Sequence, residues 1–319
     1  MKKLTAIWLS LLLVIGVLAG CAGAETDHKA KGSQNKETAT AAFPVSIKDA
    51  AGKTVEIKEQ PKRIVSLIPS NTEVAYALGL GDKMVGRSDF DNYPKEVEKV
   101  EKIGGLEFNV EKVISLKPDL VLAHASQMGS KDGFKQLEDA GIQVLTVNDA
   151  TSFKDVYKSI NMIGEAAGVK EASTKLVDEM KTKLNDIKKQ AEGISKDKQK
   201  TVFVEVSGAP EIYTTGKNTF MDEMLSVIHA KNAAGDQTGW VQMTEESIIK
   251  RNPDVIVTID GSSLADLKKR DGWNAMKAMK AMKEKQVFQL NTDLASRPGP
   301  RLVEGVEALA KNVYPDTFK

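Results

Sequence analysis

The clearest hydrophobic pattern in the chain is residues 111–123, EKVISLKPDLVLA: an acid, a short amphipathic run, a basic-Pro-Asp stop and an unbroken apolar run. Proline cannot continue a helix and pushes its neighbour toward extended geometry. The pattern therefore predicts a short helix, a break at Pro118 and a buried strand. LVLA has no polar alternation, as expected of a central parallel strand covered on both faces. Residues 246–258, ESIIKRNPDVIVT, repeat the same order, and the pairs Glu111 and Glu246, Pro118 and Pro253, Asp119 and Asp254 share one constant offset. Pro-Asp after a helix is a common stop, so each match alone is weak; their shared order predicts two α/β lobes of like topology.

The rest of the pattern fits that division. GIQVLTVNDATS (141–152) and KQVFQLNTDLAS (285–296) each place an apolar strand before a polar loop. RIVSLIPSNTE (63–73) and TVFVEVSGAPE (201–211) each place one before a small, turn-forming segment. PVSIKDAAGKTVEIK (44–58) predicts a hairpin at a lobe edge. A helix in NTEVAYALGL follows, with Asn71 or Ser70 as its N-cap and Glu73 in its first turn. MVGRS is a short strand, and SDFDNYP (88–94) a polar-aromatic loop. Helices are expected over 152–167 and 171–192, separated by Gly168, the second with Leu176, Val177, Met180, Leu184 and Ile187 at spacings of three and four. About 22 residues at a rise of about 1.5 Å span roughly 33 Å, enough to run from one lobe to the next. A helical connector predicts modest closure around a ligand rather than a wide swing. In the second lobe a helix is expected over 219–228, and Trp240 in a polar loop just ahead of the Glu246 helix. WNAMKAMKAMK forms an amphipathic run whose methionines face the core, QVFQL the last strand, and Arg297-Pro298-Gly299-Pro300-Arg301 opens the final helix.

The chain of 319 residues carries a net charge of +1, which argues against a nucleic-acid partner that needs a basic face. Its front end changes the picture more. Lys2 and Lys3 precede AIWLSLLLVIGVLAG, and the run closes on Leu18-Ala19-Gly20-Cys21, around the single cysteine. A charged start, a short apolar run and small residues mark an export signal. The motif resembles a bacterial lipobox, which implies cleavage before Cys21 and lipidation of its sulfur; an ordinary signal peptide and an uncleaved anchor are the alternatives. Loss of residues 1–20 removes Lys2 and Lys3 and moves the net charge from +1 to −1. No cysteine then remains for a disulfide, so the fold must stand on its core. Residues 22–42 lack apolar periodicity and predict a flexible tether, in which His28 is inert.

With these pieces placed, the chain resembles the substrate-binding proteins of ABC importers for cobalamin and iron chelates. IPSNTEVAYALGLGDKMVG, SDFDNYP and GG…NVEKVISLKPDLVLA are most similar to the cobalamin-binding branch, and the similarity runs from about residue 44 to the end. It implies an α/β fold of two Rossmann-like lobes joined by one long rigid helix, with the ligand in the cleft between them. The expected division is a signal peptide at 1–20, a tether at 21–43, an N-terminal lobe at 44–167, a connecting helix at 168–193 and a C-terminal lobe at 194–319. By the resemblance, Glu111 and Glu246 dock onto arginines of a permease dimer that works with ATPase subunits. Carboxylate on guanidinium can be bidentate, which gives register as well as attraction. The other account of both glutamates is that each complements its own helix dipole. Ligands of open α/β sheets sit at loops that follow strands, and Phe90, Tyr93, His124, Tyr213, Trp240 and Arg297 lie in or beside such loops. Aromatic faces can cover a corrin ring while polar groups hold its amide arms. Trp240 is the leading choice, with a core tryptophan at the lobe edge as its alternative. Members of the cobalamin branch often carry a tryptophan near the Gly104-Gly105 turn, and none is present here.

The competing cargo is a ferric siderophore or haem, for which Arg87, Arg297, Arg301 and Lys217 offer cations. A free-metal binder is disfavoured because His28, His124 and His229 are the only histidines and no spaced pair exists. An exported enzyme is disfavoured because no Gly-x-Ser-x-Gly elbow and no phosphate loop occur. The expectation is a monomeric, lipid-anchored binding protein on the outer face of the cytoplasmic membrane, not an enzyme, with no cofactor and no structural metal, carrying a small-molecule ligand.

Overall fold

The computed structural model describes residues 43–269 and 276–319. Cys21, the export signal, His28 and the start of the WNAMKAMKAMK run lie outside the described residues. The chain opens with the expected hairpin, β1 (Val45–Lys48) against β2 (Thr54–Ile57). A parallel sheet follows, of β3 (Ile64–Ser66), β4 (Met84–Arg87), β5 (Glu101–Lys102), β6 (Leu120–His124) and β7 (Gln143–Val147), ordered β5-β4-β3-β6-β7. The hairpin turn hooks onto the edge strand: the Ala50 amide donates to the Thr146 carbonyl at 2.9 Å, and the Thr146 amide to Asp49 Oδ2 at 3.2 Å. Helices α1 (Pro69–Ala77), α2 (Val110–Ser115), α3 (Lys131–Asp139) and α4 (Phe153–Ala166) alternate with these strands.

Helix α5 (Lys170–Ala191) then leads to a second parallel sheet of β8 (Thr201–Glu205), β10 (Lys231–Asn232), β12 (Val255–Thr258) and β13 (Val287–Gln289), ordered β10-β8-β12-β13. A two-stranded antiparallel ribbon, β9 (Tyr213–Thr215) with β11 (Trp240–Gln242), is attached to it. Its helices are α6 (Phe220–Val227), α7 (Glu245–Arg251), the single-turn α8 (Leu264–Leu267) and α9 (Lys280–Lys283), α10 (Thr292–Ser296) and α11 (Leu302–Val313). Both sheets follow one strand order, with β3 and β8 starting each lobe and β6 and β12 beside them, so the doubled architecture stands.

The repeated Pro-Asp stop has one structural job in both lobes. Lys117 and Asn252, equivalent positions of the repeat, leave α2 and α7 with φ of 48° and 44°. The next residue but one then clamps the first strand of the lobe. The Asp119 amide donates to the Arg63 carbonyl while Asp119 Oδ2 accepts from the Arg63 amide at 2.9 Å. Likewise the Asp254 amide donates to the Thr201 carbonyl, and Asp254 Oδ2 accepts from the Thr201 amide at 2.7 Å. Every residue of β6 and β12 is buried, as their unbroken apolar runs require.

Helix α5 packs against α4 of the first lobe and against α6 and α11 of the second. Its Val177, Met180, Leu184 and Ile187 are buried in one apolar cluster that extends from Ile47 of the hairpin through Leu122 and Ile160 to Val257, Val306 and Phe318. Gly164 of α4 allows the close approach: a Cβ there would lie 2.4 Å from the Ser173 side chain.

Two local expectations are corrected. Helix α1 starts at Pro69 with Ile68 as N-cap, because proline is preorganised for the first helical position. Ser70 and Asn71 are therefore inside the helix, where the Asn71 amide donates to the Ala123 carbonyl of β6 at 2.9 Å, and Glu73 falls beyond the first turn. Trp240 is not in a loop but pairs with Thr215 in the ribbon. The methionines of the AMK run face the core as expected: Met276, Met279 and Met282 are buried, with Met279 extended (φ −64°, ψ 151°) ahead of α9.

Candidate functional site

The carboxyl ends of the parallel strands in both sheets carry the loops that meet between the lobes. This is where open α/β folds place ligands. The loop after β4 (88–94) and the segment after β13 (290–301) are joined directly. Arg297 donates to Glu73 Oε1 at 3.0 Å, to Asn92 Oδ1 at 2.7 Å and to the Phe90 carbonyl at 3.3 Å. It also pairs with Asp293 at 2.9 Å, and Asp293 accepts from the Asn92 amide at 2.9 Å. Arg301 grips Glu73 with two bonds, Nε to Oε2 at 2.8 Å and Nη2 to Oε1 at 2.6 Å. Glu73 is 3% exposed. Two arginines and two carboxylates thus balance in charge at the lobe junction, and the Glu73 carboxylate pushes the Arg301 guanidinium up from its ordinary value.

Of the residues singled out from the sequence, Phe90, Tyr93 and Arg297 are gathered at this junction. Tyr93 lies under Arg301 in a cation–π contact; the guanidinium carbon is 3.8 Å from the ring centroid. Its ring lines a cavity of about 310 Å³ with Tyr76, Leu176, Met180 and Val303. Arg297 is committed to protein groups, so it acts as part of the junction and not as an open cation. Arg87 is equally committed, donating to the carbonyls of Ser88, Asp91 and Val100. Lys217 remains exposed.

Tyr213 and Trp240 form a second group. Residues directly opposite in an antiparallel pair share a face, and Trp240 is opposite Thr215 and Tyr213 opposite Gln242, so both rings belong to one face of the ribbon. Trp240 meets Phe220 edge to face at 6.3 Å yet keeps 53% of its surface exposed. His124 differs: it is 4% exposed at the end of β6, and its ring accepts from the Ser126 amide to cap the following turn. Burial holds its imidazole below the usual histidine range.

The long repeat extends into this region. Gly104 and Gly239 both have positive φ, 112° and 75°, and each is followed by the equivalent position, Gly105 or Trp240. In the first lobe Phe90 takes the place of the missing ring: a Cβ on Gly105 would lie 3.2 Å from the Phe90 ring. Phe90 is 54% exposed. Each lobe thus presents one exposed aromatic ahead of its repeated helix, and a tryptophan at 105 would displace Phe90. Among the described residues no ring contact links Phe90 to Trp240.

Glu111 and Glu246 are each the second residue of a helix and are both exposed at the surface. The N-caps match as well, each a polar side chain satisfying a first-turn amide. Asn109 accepts from the Lys112 amide at 2.9 Å and Thr244 from the Ser247 amide at 3.2 Å. Glu246 borders an open groove of about 950 Å³ with Pro210, Ile212, Met243 and Lys269. Among the described residues no group of three or more His, Cys, Asp or Glu is placed to hold a metal ion. None of their helices is long and apolar enough to cross a membrane.

Sequence reasoning missed Asn92, Asp91 and the role of Glu73. Asp91 is 4% exposed; its Oδ2 accepts from the Thr72 hydroxyl at 2.7 Å and the Ser88 amide at 3.1 Å, while Oδ1 has no partner among the described residues. Burial outweighs these bonds and the nearby Arg87 and Arg297, and raises its carboxyl to about 6. The available signal was the acidic spacing of the SDFDNYP loop and a lone glutamate in the otherwise weakly polar α1.

The chain belongs to the periplasmic binding protein family, whose sequence pattern it matches over residues 64–294, and it is the substrate-binding protein of an ABC transporter. It is 59% identical, over 100% of both chains, to an uncharacterized ABC transporter substrate-binding lipoprotein, YvrC, of Bacillus subtilis (strain 168). It is 28% identical to a vitamin B12-binding protein of Photorhabdus laumondii subsp. laumondii, over 79% of this chain and 88% of that one. Among solved structures it is similar to a possible iron-binding (periplasmic solute-binding) protein from Staphylococcus epidermidis ATCC 12228, with 40% identity and a TM-score of 0.73, covering 80% of this chain and 100% of that chain. It is thus a binding protein and not an enzyme.

Proposed function

We infer that the protein captures a corrinoid of the cobalamin class between its lobes and delivers it to an ABC permease dimer coupled to ATPase subunits. It does so tethered through a lipidated Cys21 on the outer face of the cytoplasmic membrane. The observation that carries this reading is the pair of exposed aromatics, Phe90 and Trp240, at equivalent points of the two lobes. A large ring with uncharged amide arms suits aromatic walls. An anionic chelate needs free cations, and Arg87, Arg297 and Arg301 are already taken by protein groups. The name of the vitamin B12-binding relative points the same way. The second reading, a ferric chelate, is favoured by the iron-binding title of the staphylococcal structure and by exposed Lys217.

Titration of the purified protein with cyanocobalamin and with several ferric siderophores, followed by calorimetry, separates the two. Saturable binding of cyanocobalamin is expected. Trp240→Ala should weaken it at least tenfold, or about 1.4 kcal/mol. Binding of a siderophore with no response to cyanocobalamin overturns the corrinoid assignment.

A further inference from the structure

We propose that Glu73 is a positioning residue for the ligand cleft: by fixing Arg297 and Arg301 it keeps the Phe90-bearing loop preset against the opposite lobe before any ligand arrives. The proposal rests on the reading that the cleft between the lobes takes the ligand. Phe90 is exposed and belongs to a loop, 88–94, that has no regular secondary structure of its own. Two kinds of contact hold that loop. Within its own lobe, the Asp89 amide donates to the Gly104 carbonyl at 2.9 Å and Asp91 anchors to Thr72 and Ser88. Across the junction, Asn92 and the Phe90 carbonyl are held by Arg297, and Asn92 also by Asp293.

Arg297 itself has to be aimed. Its side chain has many rotamers, and ordering them costs entropy unless other contacts fix it. Glu73 supplies that contact from the buried face of α1, and a carboxylate so deeply buried requires cationic partners. The second arginine completes the arrangement: Arg301 saturates Glu73 from one side while its own guanidinium covers Tyr93, the other aromatic of the same loop. One carboxylate thereby reaches two adjacent parts of the loop, Phe90–Asn92 through Arg297 and Tyr93 through Arg301. A preset wall lets a rigid ligand bind without ordering the loop at that moment, which is the usual gain from preorganisation.

Amide hydrogen exchange of the full-length protein in detergent, read by mass spectrometry without ligand, tests this. In Glu73→Gln, exchange over residues 88–94 should rise at least tenfold, and the melting temperature should fall because Asp293 is left as the one carboxylate facing two guanidinium groups. Adding Arg297→Gln to Glu73→Gln restores the charge balance of the cluster. The melting temperature should then recover, while exchange over 88–94 stays fast because the bonds of Arg297 to Asn92 and to the Phe90 carbonyl are gone. A merely structural Glu73 gives a different pattern: Glu73→Gln lowers the melting temperature while exchange over 88–94 stays within twofold of wild type. Glu73→Asp keeps the charge and should slow loop exchange relative to Glu73→Gln. Exchange over 88–94 within twofold of wild type in Glu73→Gln, or its recovery in the double variant, overturns the proposal. No ligand enters these measurements, so a protein that binds neither cyanocobalamin nor a siderophore would remove the cargo reading without touching this result.

Discussion

Asp91 makes the stability of this protein depend on pH in a direction opposite to that of most carboxylates. In the unfolded chain its carboxyl titrates near its ordinary 3.8; in the fold burial raises it to about 6. Between those values the native state holds a proton that the unfolded state has released, so stability from this group is full below about pH 4 and declines as pH rises through about 6. A rise of that size corresponds to at most about 3 kcal/mol lost by neutral pH. About 1 kcal/mol of that is already lost at pH 4.5 by the same linkage, leaving about 2 kcal/mol between pH 4.5 and pH 7. Asp91→Asn keeps an oxygen for the Thr72 hydroxyl and the Ser88 amide and removes the titration. Urea unfolding of wild type and variant at the two pH values isolates the effect, because every other carboxylate cancels in the comparison. The variant should gain about 2 kcal/mol relative to wild type on going from pH 4.5 to pH 7. A difference that changes by less than about 0.5 kcal/mol over that range, a quarter of the linkage expected from burial, would refute the argument.

Two further outcomes follow from packing and from the paired glutamates. Gly164→Ala should destabilise the fold by about 1–3 kcal/mol, as overpacking does, because its Cβ would sit 2.4 Å from Ser173 across the α4–α5 contact; thermal melting reads this directly. Glu111→Ala combined with Glu246→Ala should abolish uptake in cells while leaving the affinity of the purified protein within twofold, measured by transport assay and calorimetry side by side; uptake at the wild-type rate would exclude docking through these acids.

The segments with strong local signals were legible without coordinates. The Pro-Asp repeat, the fully apolar β6 and β12, and the stripe of Val177, Met180, Leu184 and Ile187 on α5 each combine a period with a stop signal, and each appears where expected. The short ribbon was not legible. Three residues per strand carry too little alternation to detect, and Tyr213–Thr215 finds its partner only across α6. The start of α1 was misjudged because polar Ser70 and Asn71 suggested caps, whereas both turn inward to serve other elements or the core. The junction was invisible for a different reason. Glu73 meets Arg297 and Arg301 across 224 and 228 residues of chain, and no local pattern marks a carboxylate for burial beside them. Likewise Phe90 filling the space above Gly105 is a substitution in space, not in sequence.

The apolar cluster that passes through α5 makes the two halves inseparable as folding bodies, although each has its own sheet. Each half relies on α5 for part of the wall that keeps water from its interior, and α11 near the C-terminus returns to the same helix. A protease that nicks the connection between α5 and β8 would therefore leave two fragments clasped around a common interior rather than two independent domains.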